Sequence, residues 1–291
     1  MTAIDAEALR RHIGTSMTDE DVATAAPLRM LAATFDRPEP TPVDGQPIPP
    51  GWHIGYFLYM APQASLTADG LPTSAGVLPK MPLPRRMYAG CRMTFHDDIR
   101  VGEKITRKTT LTDLQVRQGS TGTLIFATQT RAISTPRGLA LTELYEGAFR
   151  EEVRPGESSG IPKRESVPVG LPWRRSHKAD AVSLFRFSAI TFNPHRIHYD
   201  KPYAMGSEGY PGLVVHGPYS QHCLSDFLRD MNPGRRMATF QMRARAPLFE
   251  HEPFELVGRP SDGGGAEASG AEAWALTPSG TIAMQATASF A

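Results

Sequence analysis

With 291 residues and a formal net charge of +1, the chain is long enough for two ordinary domains and lacks the charge excess that would draw nucleic acid or an anionic membrane. Its two cysteines, Cys91 and Cys223, are too few and too far apart for a disulfide framework, which makes a reducing cytoplasm the expected compartment. The first residues carry acids and no apolar h-region, and no run approaches the ~18 apolar residues of a membrane span, so a soluble cytoplasmic protein without nucleic-acid or membrane partners is expected.

In chain order, Thr18-Asp19-Glu20-Asp21 reads as a helix start with Thr18 as N-cap. Pro27 suits N1, the first helical position, of a second short helix with Leu28, Leu31, Ala32 and Phe35 on one face. Prolines between Pro38 and Pro50 force an irregular connection, and Trp52 to Met60 predicts a buried helix. Its Tyr56, Phe57 and Met60 are core residues first and acyl-pocket residues second. A Pro/Gly-rich loop covers 63–84. From Arg86 the period changes to two: strands are predicted over 87–95, 104–111, 123–133 and 139–150, with turns between them. A Pro/Ser/Gly-rich stretch over 151–173 reads as a linker. Ala181 to Ile190 then reads as a strand. Gly217 to Met231 reads as a helix, with Leu224, Phe227, Leu228 and Met231 at i, i+3, i+4 and i+7. Strands are predicted over 238–246, 254–258, 271–276 and 281–290.

The halves repeat one order, a helix followed by an antiparallel meander. Arg85-Arg86-Met87 and Arg235-Arg236-Met237 precede the two meanders, and Met93 and Met242 begin matching stretches that run to Ile105 and Phe254. Two fused copies of one helix-plus-sheet unit follow as the simplest architecture, a covalent pseudo-dimer.

Between the two predicted elements of the second half stands Phe192-Asn193-Pro194-His195-Arg196-Ile197-His198-Tyr199-Asp200, followed by His216-Gly217. A polar, histidine-dense turn between apolar elements is where a scaffold presents chemistry. These residues resemble the MaoC-like double hot-dog hydratases. In that family an Asp-x-Asn-Pro-(aliphatic)-His motif is followed about twenty residues later by His-Gly. Leu83-Pro84-Arg85-Arg86-Met87-Tyr88-Ala89-Gly90 resembles a closer subgroup, the mesaconyl-CoA and itaconyl-CoA hydratases and the mitochondrial-type 3-hydroxyacyl thioester dehydratases.

The resemblance implies an α+β double hot-dog fold. Residues 1–150 would form a non-catalytic unit that shapes the substrate pocket, 151–173 a linker, and 174–291 the catalytic unit. It also implies a hydro-lyase that reversibly hydrates an α,β-unsaturated acyl-CoA, first a C5 dicarboxylyl thioester. Alternatives are a 3-hydroxyacyl thioester dehydratase of fatty-acid synthesis and a non-catalytic acyl-thioester-binding protein. His198 falls on the catalytic histidine. Asn193 falls on the family's acid, and an amide can hold a water but cannot exchange a proton near neutral pH.

Hydration needs a base near neutral pH and donors aimed at the thioester oxygen. A histidine supplies the first, and the Gly217 N–H at a helix start supplies the second. The expected catalytic residues are Asn193, His198 and Gly217, with Tyr199, Gly212 and His216 binding substrate and His195 in support. No cofactor is expected beyond the coenzyme A of the substrate, and no metal, although His195 and His198 with His216 or His222 is the set a metal would use. Arg196 and Asp200 would pair or cap a turn. The pairs Arg85-Arg86 and Arg235-Arg236 read either as coenzyme A phosphate ligands or as sheet-edge arginines facing solvent. A homo-oligomer is compatible with all of this.

Overall fold

The computed structural model describes residues 4–74, 76–119, 122–151, 167–261 and 269–291. In chain order the elements are α1 (Ala6–Arg10), β1 (Ser16–Val22), α2 (Ala25–Thr34), β2 (Arg85–Phe95), β3 (Lys104–Gly119), β4 (Gly122–Thr135), β5 (Gly138–Arg150), β6 (Trp173–His177), α3 (Ala181–Ile190), α4 (Lys201–Gly206), α5 (Gly217–Asp230), β7 (Met237–Ala244), β8 (Phe254–Pro260), β9 (Gly270–Leu276) and β10 (Ile282–Phe290). The strands form one ten-stranded antiparallel sheet in the order β1-β3-β4-β5-β2-β7-β10-β9-β8-β6. This is the double hot-dog α+β architecture. β2 and β7 pair at its centre, with Arg92 opposite Gln241.

One apolar core runs through both halves, from Trp52, Met93, Ile105 and Leu141 to Leu224, Phe227, Phe240 and Phe254. The amphipathic α5 is its axis: Leu224, Phe227 and Leu228 are fully buried, and each contributes about 1.5–3 kcal/mol relative to exposure. That helix and all eight predicted meander strands are present. The predicted linker lies mostly outside the described residues, although Trp173 already opens β6.

Three local expectations are corrected. Thr18 to Asp21 is strand, because every residue of β1 pairs with β3 and the inward acids have tertiary partners. Asp19 meets the Arg107 guanidinium at 2.9 Å, and Asp21 accepts the Phe57 N–H at 2.7 Å. Tertiary partners override a capping pattern. Residues 52–60 form only one 3₁₀ turn, Trp52–Gly55. The chain turns off at Phe57, held at φ +55° by Asp21 on its N–H and Arg107 on its carbonyl. Tyr56 and Phe57 are core residues, while Met60 is exposed. Ala181 to Ile190 is a helix, opened by an Asp180/Ser183 capping box and buried through Leu184, Phe187, Ser188 and Ile190.

The repeat is real, with a shifted register. β2 carries a bulge at Ala89 and β7 one at Ala238, and the spacing that superposes them also superposes Met93 on Met242 and Ile105 on Phe254. The Arg-Arg-Met triplets are therefore offset by one residue. The correspondence extends into the loops. Ile48 N–H donates to Ile99 O and Val215 N–H to Leu248 O, both at 2.8 Å. Val101 N–H donates to Gln46 O, as Glu250 N–H does to Leu213 O. The bridges Pro47–Arg100 and Val214–Phe249 complete the match. Pro49-Pro50 thus stands in the first half where His216-Gly217 stands in the second, and the 3₁₀ turn at Trp52 is what remains of a counterpart to α5.

Candidate functional site

α3 ends in a Schellman motif that delivers the histidine-rich turn. Asn193 N–H donates to Ser188 O at 2.8 Å and Phe192 N–H to Ala189 O at 3.3 Å, with Phe192 in the left-handed region at φ +49°. An aromatic residue where glycine is favoured marks strain stored beside the site. The turn is clamped from the first half by the tight loop Thr67–Leu71. Arg196 N–H donates to Asp69 O and its guanidinium to Ala68 O, both at 2.8 Å. At Gly70, φ is +90° and a Cβ would lie 2.1 Å from Pro194 O, so only glycine allows this approach.

His198 lies in the 3₁₀ turn Arg196–His198 and is buried. Its Nδ1 is 2.7 Å from Val214 O. A carbonyl only accepts, so Nδ1 carries the proton and Nε2 holds the free lone pair. Nε2 bonds to none of the described residues and is not sealed off, whereas His216 Nδ1 is buried without a partner. The His216 ring stacks on His198 at 3.6 Å between centroids, and its Nε2 meets Ser188 Oγ at 2.8 Å. His195 stands edge-on to His198 at 5.4 Å.

All three imidazoles are neutral. Burial pushes His198 down to about 3, with the neighbouring His195 adding to the effect, and the Val214 carbonyl only partly offsets it. His195 is lowered to about 3 by burial first and then by the positive charges of Arg86 and Arg85, although its Nε2 lies 4.0 Å from an Asp69 carboxylate oxygen. His216 is lowered well below the usual histidine value by burial, with His198 and His195 adding to the effect. Removing a charged form from water costs more than these neighbours return.

Gly217, the first residue of α5, follows His216 directly. Its N–H has no acceptor among the described residues and sits at the positive end of a buried helix. A Cβ on Gly217 would lie 2.3 Å from Tyr88 Cδ1, so Tyr88 of β2 packs closely against the helix start. Tyr88 donates to Gln221 Oε1 at 2.6 Å. The first half offers no equivalent donor: Pro50, the counterpart of Gly217, has no N–H.

Of the residues singled out in the sequence, His198, His216 and Gly217 converge, and His195 adjoins them. Asn193 uses its Oδ1 to accept the His195 N–H at 3.0 Å, an Asx turn within the loop. Tyr199 is half-exposed and donates to Pro194 O at 3.1 Å. At Gly212, Glu250 and His251 occupy the space a Cβ would need. His222 lies apart, against Phe35 and Trp52. Arg196 pairs with Asp200 at 2.7 Å, and Asp200 also caps α4.

The arginine pair at the start of β2 is not a solvent-facing edge, because β2 is an inner strand. Arg85 is buried and bonds Glu208 at 2.7 Å.

A family model for hydroxyacyl-thioester dehydratase type 2 matches residues 51–250. The chain belongs to this family. It is 39% identical over 279 residues to the mesaconyl-C(4)-CoA hydratase of Chloroflexus aurantiacus, covering 94% of each chain. It is 24% identical to the mitochondrial hydroxyacyl-thioester dehydratase type 2 of Schizosaccharomyces pombe, over 81% of this chain and 88% of that one. In fold it matches a MaoC-like dehydratase from Phytophthora capsici (TM-score 0.65, 13% identity, 99% of both chains). It also matches HtdX from Mycobacterium tuberculosis (TM-score 0.63, 15% identity, 94% and 99%). As a member of the family the chain is a hydro-lyase, a hydratase/dehydratase of acyl thioesters. None of its described helices is long and apolar enough to cross a membrane.

Sequence reasoning missed Ser188, Tyr88 and Gln221. Ser188 was hidden by reading α3 as strand, although the Asp180-x-x-Ser183 box was there to be read. Tyr88 and Gln221 meet only through the pairing of β2 with the second half, which no local pattern encodes.

Proposed function

We propose that the chain reversibly hydrates an α,β-unsaturated acyl-CoA whose acyl group is a C5 dicarboxylate, mesaconyl-CoA or itaconyl-CoA. The observation that carries the chemistry is the His198 imidazole, with Nδ1–H fixed on Val214 O, Nε2 free and the ring stacked on His216, the residue before the Gly217 helix start. In this mechanism Nε2 accepts a proton from water as the water oxygen bonds to the β-carbon. The electron pair of the double bond moves onto the thioester oxygen, where the Gly217 N–H and the α5 dipole stabilise the enolate. Nε2–H then returns its proton to the α-carbon, so one water is added and the base is regenerated. Imidazolium is costly in this buried position, which favours prompt return of the proton. A single histidine thereby does the work for which a second acid is not required, and Asn193 serves to hold the turn and orient the water.

The substrate class is supported by the 39% identity to a hydratase named for mesaconyl-C(4)-CoA. A second reading, dehydration of a 3-hydroxyacyl thioester of fatty-acid synthesis, is supported by the family model and the S. pombe relative. A spectrophotometric assay across crotonyl-CoA, mesaconyl-CoA, itaconyl-CoA and a chain-length series of 3-hydroxyacyl-CoA distinguishes them. The carboxylated thioesters are expected to react fastest; preference for long unbranched chains would support the second reading, and activity on none would overturn both.

A further inference from the structure

In place of a counterpart to α5 the first half has only the 3₁₀ turn Trp52–Gly55. Arg86 and Tyr88 alternate onto one face of β2, with Tyr145 and Phe149 beside them on β5. Arginines around this face have acidic partners: Arg85 with Glu208 at 2.7 Å, Arg107 with Asp19 at 2.9 Å and Arg131 with Glu143 at 3.1 Å. Arg86 has none. Among the described residues it makes no ion pair and no side-chain hydrogen bond, and its Nε is buried without a partner. Its guanidinium lies over the Phe149 ring, 5.4 Å from the centroid, and its charge depresses the basicity of His195, the ring edge-on to His198.

A guanidinium partly withdrawn from water is costly when no carboxylate touches it; Asp69 acts on Arg86 only through space, so a site of this kind fits a ligand that brings a contacting anion. Its place on the face of β2 that carries Tyr88, the residue against Gly217, decides which anion. In a C5 unsaturated dicarboxylyl thioester the free carboxylate is joined directly, or through one carbon, to the reacting double bond. The phosphates of coenzyme A lie at the far end of the pantetheine arm.

We infer that Arg86 is the specificity determinant for the free carboxylate of the acyl group. This rests on the dicarboxylyl reading of the substrate. Tyr145, Asp69 and Tyr59 lie within electrostatic range of Arg86.

The test is the ratio of kcat/KM for mesaconyl-CoA to that for crotonyl-CoA, in the wild type and in Arg86→Gln. Both thioesters carry the same coenzyme A, and crotonyl-CoA turnover reports that the variant is folded. The ratio is expected to fall about a hundredfold, the loss of a charge-assisted pair. An unchanged ratio, whether both rates fall together or neither does, overturns the assignment; a joint fall would mean a coenzyme A or structural role. A wild-type enzyme that hydrates crotonyl-CoA but no carboxylated thioester would instead remove the dicarboxylate reading itself.

Discussion

Gly217→Ala probes the contact between the two halves at the head of α5. In an ordinary helix alanine is the more stable residue by about 0.5–1 kcal/mol. Here the added Cβ would lie 2.3, 2.7 and 2.8 Å from Tyr88 Cδ1, Cγ and Cβ, so the ring, held at its Cβ by strand β2, must move. Overpacking of this kind costs about 1–3 kcal/mol. Moving the ring also strains the 2.6 Å bond from Tyr88 to Gln221, worth about 0.5–1.5 kcal/mol. The balance is a destabilisation of roughly 1–3 kcal/mol, of opposite sign to helix propensity. Urea unfolding of the wild type, Gly217→Ala, Tyr88→Ala and the double variant measures it. The double variant should be more stable than the two single losses predict, by a coupling of at least about 1 kcal/mol. A midpoint unchanged or raised by Gly217→Ala alone would refute the reasoning.

The buried neutral histidines make stability depend on pH. Because the folded-state pKa values of His195 and His198 are lowered to about 3 and that of His222 to about 4, the unfolded chain binds more protons below its own value near 6.5. Stability is therefore full above about pH 6.5 and is lost as pH falls toward 4, by about 1.4 kcal/mol per unit for each such histidine. Urea midpoints flat between pH 7 and 4 would contradict this. Ser188→Ala leaves His216 Nε2 without its 2.8 Å partner, beside an Nδ1 that already lacks one. A loss of about 1–3 kcal/mol with a lower kcat is expected, and unchanged values for both would show that Ser188 does not hold the ring. Arg85→Met strands the Glu208 carboxylate beside β2 and should cost about 3 kcal/mol, much of it regained in Arg85→Met/Glu208→Met; equal stability of the two variants would count against a buried pair.

Much of the architecture was legible because it is periodic. Alternating strands and the 3.6-residue stripe on α5 announce themselves, and the motif ties His198 to His216-Gly217. What was not legible depends on partners distant in the chain. Thr18 to Asp21 looks like a helix cap until β3 brings Arg107 to Asp19. Residues 52–60 look helical until Asp21 and Arg107 turn the chain at Phe57. The repeat was visible in its letters, but the bulges at Ala89 and Ala238 were needed to set its register, and with it the match of Pro49-Pro50 to His216-Gly217. The unpaired state of Arg86 is likewise a property of what surrounds it.

The central claim is that His198 alone carries the proton between water and the α-carbon. The kcat of His198→Ala on the best carboxylated enoyl-CoA, with unfolding measured on the same preparation, tests it most directly. The account predicts a fall of at least about a hundredfold with the fold intact. A rate within a few-fold of wild type would contradict it.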